Sequence, residues 1–187
     1  MQSPETYISI DIESDGPCPG LHSMLSLGAA ALQREHGLLD TFCINLEALP
    51  EATPHPATMA WWRSQPIAYA QVRAEPQEPS IAMSCFRQWL EGLPRPWVAV
   101  AYPACFDFAF VNYYCCRFLG ENPLGFAALD IKSYAMAALE LEHFRASVKS
   151  RMPRRWFAGC PPHTHLALDD ALEQGQLWLN ILRERLG

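Results

Sequence analysis

Residues 97–101 read WVAVA, an uncharged run that follows the helix-stopping Pro94-Arg95-Pro96. A strand with no polar face does not suit a half-solvated sheet. It fits one covered on both faces, as in sheets flanked by helices. An aromatic helix is expected to begin near Cys105 and end at Gly120, which makes this unit a strand followed by a crossover. Upstream, residues 7–12 (YISIDI) alternate in the period-two manner of a strand. Residues 23–33 and 37–45 continue in that style across the break Glu35-His36-Gly37. Three early antiparallel strands are therefore expected.

Thr58 is expected to cap a short helix carrying Trp61 and Trp62, and Ser80 to cap another over residues 81–91. Residues 129–131 form a short apolar strand, and Ser133 opens an alanine-rich helix to about Glu140. The spacing of Leu168, Leu172, Leu179, Leu182 and Leu186 predicts a long closing helix over 166–186. Strands grouped early and then alternating with helices define an α/β fold, a mixed sheet flanked by α-helices. A chain of 187 residues holds one such core, so 1–187 is expected to be a single domain.

Half the residues are hydrophobic and 18% are charged, too apolar for a disordered chain and too interrupted for a membrane span. Met1 to Ile12 contain no basic residue but carry Glu5 and Asp11, which does not resemble a secretory signal. Seven scattered cysteines without a C-x-x-C pair suit reduced thiols, and the expected location is cytoplasmic. With 14 Lys plus Arg against 20 Asp plus Glu, the net charge of −6 works against steering onto nucleic acid. Any nucleic-acid function has to overcome that charge.

Asp11 and Glu13 lie two apart at the end of the first strand, so both carboxylates face the same side and can share a cation. With 7 Asp and 13 Glu, about half a D-x-E is expected per chain by chance, so the pair fits two surface carboxylates as well. Asp107 is the only acid between Glu91 and Glu121. It sits near the start of a helix that follows a buried strand, where ligand groups gather, though a dipole partner would also sit there. His165 and Asp170 form an H-x4-D pair, for which chance predicts about 0.2 matches. Acids at a helix N-terminus also arise without function.

The order D-x-E, then F-D-x-x-F around Asp107, then H-x4-D near the end resembles the DEDDh 3′-to-5′ exonucleases of the DnaQ-like superfamily. The specificity comes from the conjunction and its order along most of the chain. The resemblance implies a ribonuclease H-like fold with a five-stranded mixed sheet. It also implies that Asp11, Glu13, Asp107 and Asp170 hold two Mg²⁺ or Mn²⁺ ions and that His165 is the general base. Tyr134 is the chain's last tyrosine, so the family's tyrosine variant is not supported. The stretch TMAWWRSQ (58–65) also resembles small bacterial exoribonucleases within the superfamily.

Two divalent ions would bring the net charge from −6 to −2. Between Glu142 and Asp169 there is no acid, yet Arg145, Lys149, Arg151, Arg154 and Arg155 occur there together with Trp156. This segment is expected to be a mobile basic loop in which Arg154 and Arg155 meet substrate phosphates and Trp156 stacks on a base. A solvated loop without function is the alternative. The resemblance also places Ser14 and Asp15 against the terminal nucleotide. Cys160-Pro161-Pro162-His163 lacks a second Cys or His pair at zinc spacing and is expected to be a rigid turn.

The leading expectation is metal-dependent release of 5′ nucleoside monophosphates from the 3′ end of single-stranded nucleic acid, RNA slightly ahead of DNA. The alternatives are a proofreading subunit acting on DNA and a catalytically silent nucleic-acid-binding or scaffold domain. No membrane partner is expected, and the sequence leaves a homodimer open.

Overall fold

The computed structural model describes residues 3–186. Strands β1 (Thr6–Ser14), β2 (Met24–Gln33), β3 (Gly37–Asn45), β4 (Trp97–Ala101) and β5 (Ala128–Asp130) form one sheet in the order β3-β2-β1-β4-β5. The β3-β2-β1 side is antiparallel, whereas β4 and β5 run parallel to β1. The expected five-stranded mixed α/β sheet is present.

Alternation along β1 sets up two cores. Ile8, Ile10 and Ile12 point to the face covered by α3 (Pro79–Glu91) and α4 (Ala104–Leu119), where they meet Phe86, Phe110 and Tyr114. Fully burying each isoleucine contributes roughly 1.5–3 kcal/mol. Tyr7 points to the opposite face, against Trp178 of α6 (Ala167–Leu186) and beside Ile131 of α5 (Ile131–Ala138). Ser9, Asp11 and Glu13 share that second face by the same alternation. Ser9 donates its hydroxyl to the Ala171 carbonyl of α6 at 2.8 Å, which ties strand and helix together. WVAVA is an interior strand between β1 and β5, as its uncharged composition predicts.

Prolines move two helix starts from where the hydroxyl residues suggest them. Helix α1 (Pro56–Trp62) begins at Pro56 and is capped by His55, whose Nδ1 accepts from the Thr58 backbone N–H. Helix α3 begins at Pro79, so Ser80 lies inside it. Pro has no N–H to satisfy and its φ is preset, which makes the first helical position its natural place. A second short helix, α2 (Pro66–Val72), opens the same way and was not anticipated. Helix α5 starts two residues before Ser133 because the Asp130 carboxylate accepts from the Ser133 N–H at 3.1 Å.

Candidate active site

Asp11 and Glu13 occupy the last turns of pleat in β1, opposite Gly28 and Ser26 of β2, and the register shifts immediately after Glu13. Beyond that irregularity the ladder carries one more pair, Ser14 with Met24, before β1 ends. Because β4 runs parallel to β1, the helix that follows β4 begins beside the same strand end. Asp107 in the first turn of α4 accepts a hydrogen bond from the Ile12 N–H at 3.1 Å. The third acid is thus tied by a main-chain contact to the strand that carries the D-x-E pair.

Asp170 arrives on α6. Its start is pressed onto β2 at Gly28, where any Cβ would fall far inside van der Waals contact with the backbone of Ala167 and Leu168. Glycine is needed there because backbone meets backbone. The Asp170 carboxylate accepts from the Thr164 N–H at 2.9 Å and the His165 N–H at 3.2 Å, closing the turn that carries His165. His165 has φ 60°, a left-handed conformation that is strained for a residue with a Cβ. Its ring packs edge-on against Trp61 at 5.0 Å and His163 at 4.5 Å.

Ligand oxygens of Asp11, Glu13 and Asp170 can all lie within 4.8 Å of one another, and so can ligand atoms of His163, His165 and Asp170. Burial pushes Asp11 well above the ordinary carboxylate range, and the charges of Asp107, Glu13 and Asp170 push it further. Glu13 is pushed up to about 9 by burial, then by Asp170 and Asp107. Asp107 is raised to about 7 by burial, against the opposing hydrogen bond from Ile12. Asp170 is raised by burial, against hydrogen bonding from Thr164 and the charges of its histidine neighbours. Mutually repelling, partly desolvated carboxylates of this kind either take up protons or are neutralised by a cation. Their hard oxygen donors suit divalent ions such as Mg²⁺ and Mn²⁺. Burial, then the charge of His163, lowers the His165 pKa, so its ring is neutral near pH 7.

The five residues expected to converge, Asp11, Glu13, Asp107, His165 and Asp170, are therefore brought to one end of the sheet. Of the residues expected to touch substrate, Ser14 and Asp15 adjoin that end, whereas Arg154, Arg155 and Trp156 lie on a separate turn. Trp156 is 1% exposed, lies in the α5–α6 core and donates its indole N–H to Glu184 at 2.9 Å. The expectation that it stacks on a base is corrected: a large apolar ring next to an unfilled helix face is buried. Arg155 makes two hydrogen bonds to the same Glu184 at 2.6 and 2.8 Å. Glu184 lies 14 residues (184 − 170) beyond Asp170, about 21 Å along the helix. Arg155 is thus occupied far from the acids, and neighbouring Arg154 is exposed on the same turn. Residues 144–157 form three short 3₁₀ turns, and the last of them packs on α6.

Ser14 and Asp15 are also buried. Ser14 donates to the Gly16 carbonyl, and Asp15 accepts from the Ser23 N–H at 2.6 Å, so both side chains hold the β1–β2 connection. The Ser14 carbonyl accepts from the Trp62 indole at 2.9 Å, which leaves Trp61, 38% exposed, standing over His165. Two residues near the acids were not anticipated from the sequence. Gln174 donates its amide to Asp11 at 3.2 Å and to the Ile10 carbonyl at 2.9 Å, and Glu173 forms a half-buried ion pair with Lys149. Only their spacing after Asp170, on the same helical face, pointed toward them.

A mixed sheet with acids gathered at the end of its central strand, closed by a helix that bears Asp170 and is preceded by His165, defines a ribonuclease H-like nuclease architecture. The chain belongs to the Rv2179c-like 3′-5′ exoribonuclease domain family, whose model matches residues 6–182. It is 31% identical over 179 residues to the 3′-5′ DNA exonuclease Cap18 of Escherichia coli, covering 93% of this chain and 90% of that one. In structure it resembles the nuclease domain of 3′hExo, a DEDDh family member bound to rAMP, with TM-score 0.74, 11% identity and coverage of 98% and 94%. Escherichia coli Exonuclease I in complex with a dT13 oligonucleotide aligns with TM-score 0.67 and 14% identity over 96% of this chain and 41% of that one. The protein is a 3′-5′ exonuclease, a phosphodiester hydrolase. Among the described residues no helix is long and apolar enough to cross a membrane.

Proposed function

We propose that the protein, as a single domain over 1–187, removes 5′ nucleoside monophosphates one at a time from the 3′ end of single-stranded nucleic acid. Asp11, Glu13, Asp107 and Asp170 act as ligands of two Mg²⁺ or Mn²⁺ ions, and His165 acts as general base. The observation that carries this reading is the approach of the Asp11, Glu13 and Asp170 carboxylates to within 4.8 Å. When bound, the two ions polarise the scissile phosphate, make the attacking water more acidic and stabilise the leaving 3′ oxygen. The protein's own groups do the rest. The acids would hold the ions that receive the phosphate, and Asp107 is held in place by the Ile12 N–H. His165, neutral near pH 7, accepts the proton of the attacking water. Trp61, beside His165, is placed to pack against the terminal nucleotide.

RNA and DNA are both candidate substrates. The family is named for exoribonucleases, which supports RNA, while the relative that is 31% identical is a DNA exonuclease. The 2′ hydroxyl is the chemical difference the pocket has to sense. All five groups come from one chain, so the site does not require a homodimer to be complete. Seven free cysteines suit a reducing cytoplasm. The test is a 5′-labelled RNA and DNA ladder with Mg²⁺ or Mn²⁺, wild type beside Asp11→Ala. Stepwise shortening by the wild type alone is expected, and shortening that survives in Asp11→Ala would overturn the assignment.

A further inference from the structure

Five basic residues lie between Glu142 and Asp169, and the fold treats one of them differently. Arg145, Arg151, Arg154 and Arg155 are exposed, whereas Lys149 is turned inward. Its ammonium group is fixed from two sides. It forms an ion pair with Glu173 of α6, and it sits 5.2 Å from the centre of the Tyr102 ring just beyond β4. Tyr102 is itself anchored, its hydroxyl donating to the Ser147 carbonyl at 2.7 Å. Glu173 is 5% exposed and lies three residues after Asp170, hence on the same face of the helix. A histidine bridges the two acids, with His163 Nδ1 2.9 Å from Asp170 and 4.0 Å from Glu173. These contacts place the Lys149 ammonium beside the carboxylates, at the strand ends where β1 and β4 finish. Its positive charge also reaches Asp11, Asp107 and Asp170, opposing the upward push that burial gives each of them.

We propose that Lys149 is a catalytic residue of the exonuclease reaction, donating to a non-bridging oxygen of the scissile phosphate, with Glu173 as its positioning residue. This rests on the reading that the neighbouring acids hold the metal ions. The pair is only half-buried, with Lys149 28% exposed and Glu173 nearly enclosed, and an ion pair whose carboxylate has lost its water is a weak stabiliser, so packing alone does not account for it. An ammonium group has three donors, and Glu173 does not exhaust them. Charge balance also calls for a cation. Asp11, Glu13, Asp107, Asp170 and Glu173 carry −5, and two divalent ions with Lys149 restore zero before the phosphodiester brings its own negative charge. In the reaction the water oxygen bonds to phosphorus and its proton passes to His165. The bond from phosphorus to the leaving 3′ oxygen breaks with its electron pair on that oxygen, which is protonated from solvent. Lys149 keeps its proton throughout and stabilises the charge that gathers on the phosphoryl oxygens.

The experiment is single-turnover cleavage of a 5′-labelled oligonucleotide by Lys149→Met, Lys149→Arg, Glu173→Gln and Asp11→Asn, with melting temperature and substrate affinity measured on each. Lys149→Met is expected to slow cleavage roughly 10²-fold, the scale of losing one preorganised donor, while affinity changes far less. Lys149→Arg recovers part of the rate, and Glu173→Gln is intermediate. A residue that merely tethers the loop would lower the melting temperature and affinity and leave the rate on saturating enzyme intact, and that result would overturn the proposal. Full activity in Asp11→Asn would instead mean that the function reading has failed. A dead Asp11→Asn beside a Lys149→Met within twofold of wild type would remove the Lys149 assignment alone.

Discussion

Gln174 on α6 reaches across to β1 and donates its side-chain amide to the Asp11 carboxylate at 3.2 Å, with a second bond to the Ile10 carbonyl at 2.9 Å. The residue is 1% exposed, so the contact is sheltered from water. It sets the orientation of the acid that lies nearest the centre of the site.

Replacing Gln174 with Met keeps the volume and removes both bonds. The Ile10 carbonyl and Asp11 each lose a donor in a buried setting, at a cost of about 1–3 kcal/mol. Groups that orient metal ligands typically matter 10–100-fold, so roughly that rise in the Mg²⁺ concentration needed for half-maximal activity is expected. A metal titration of Gln174→Met against wild type measures it.

Metal-free protein should lose stability as pH rises. Glu13 has its folded pKa raised to about 9 from an ordinary value of 4.5, so between these values the folded state binds the extra proton. Stability then falls with increasing pH across that window, and the contribution is complete only below it. Melting temperatures in EDTA between about pH 5 and pH 9 should decline. Glu13→Gln should flatten that decline.

The same repulsion predicts an inversion of stability by metal. Without ions, Asp11→Asn relieves a charge conflict and should melt higher than wild type. With Mg²⁺ the wild type should gain stability by mass action and the variant should gain less. Thermal melts with and without metal would reveal this, and identical metal-induced shifts in the two proteins would contradict it.

Gly28→Ala should displace the start of α6, since the added carbon falls on the backbone of Ala167 and Leu168. Overpacking of this kind costs typically about 1–3 kcal/mol. Asp170 and His165 sit on the displaced segment, so activity should fall by more than the loss of folded protein explains. The specific activity of the folded fraction checks this.

Trp156→Ala is expected to destabilise the fold by about 3–5 kcal/mol, as for other large core aromatics. Arg155→Ala should leave nucleic-acid affinity and its salt dependence nearly unchanged, because its partner is Glu184. Salt-dependent binding curves for the two variants separate core from contact.

The acids of this site were legible because their signals are local. Period-two alternation alone put Asp11 and Glu13 on one face, and Ile8, Ile10 and Ile12 on the other. The uncharged WVAVA run announced an interior strand, and a helix after it brought Asp107 to the strand end. The helix starts were less legible. Proline at the first helical position outweighed the hydroxyl caps that Thr58 and Ser80 offered. The basic segment was misjudged because its composition is visible but its partners are not: Glu184, which draws in Arg155 and Trp156, lies about 30 residues downstream.

By itself, the sequence determined which side chains alternate, where the strands and the longer helices run to within a few residues, and the order of the acids along the chain, because these depend on spacing within a few residues. Only the tertiary structure decided that Gln174 holds Asp11, that Lys149 faces the acids while Arg155 does not, and that Trp156 belongs to the core. Those outcomes depend on how α6 lies across the sheet, a contact between residues more than 160 positions apart in the case of Asp11 and Gln174. Packing of buried surface, rather than local pattern, selects it.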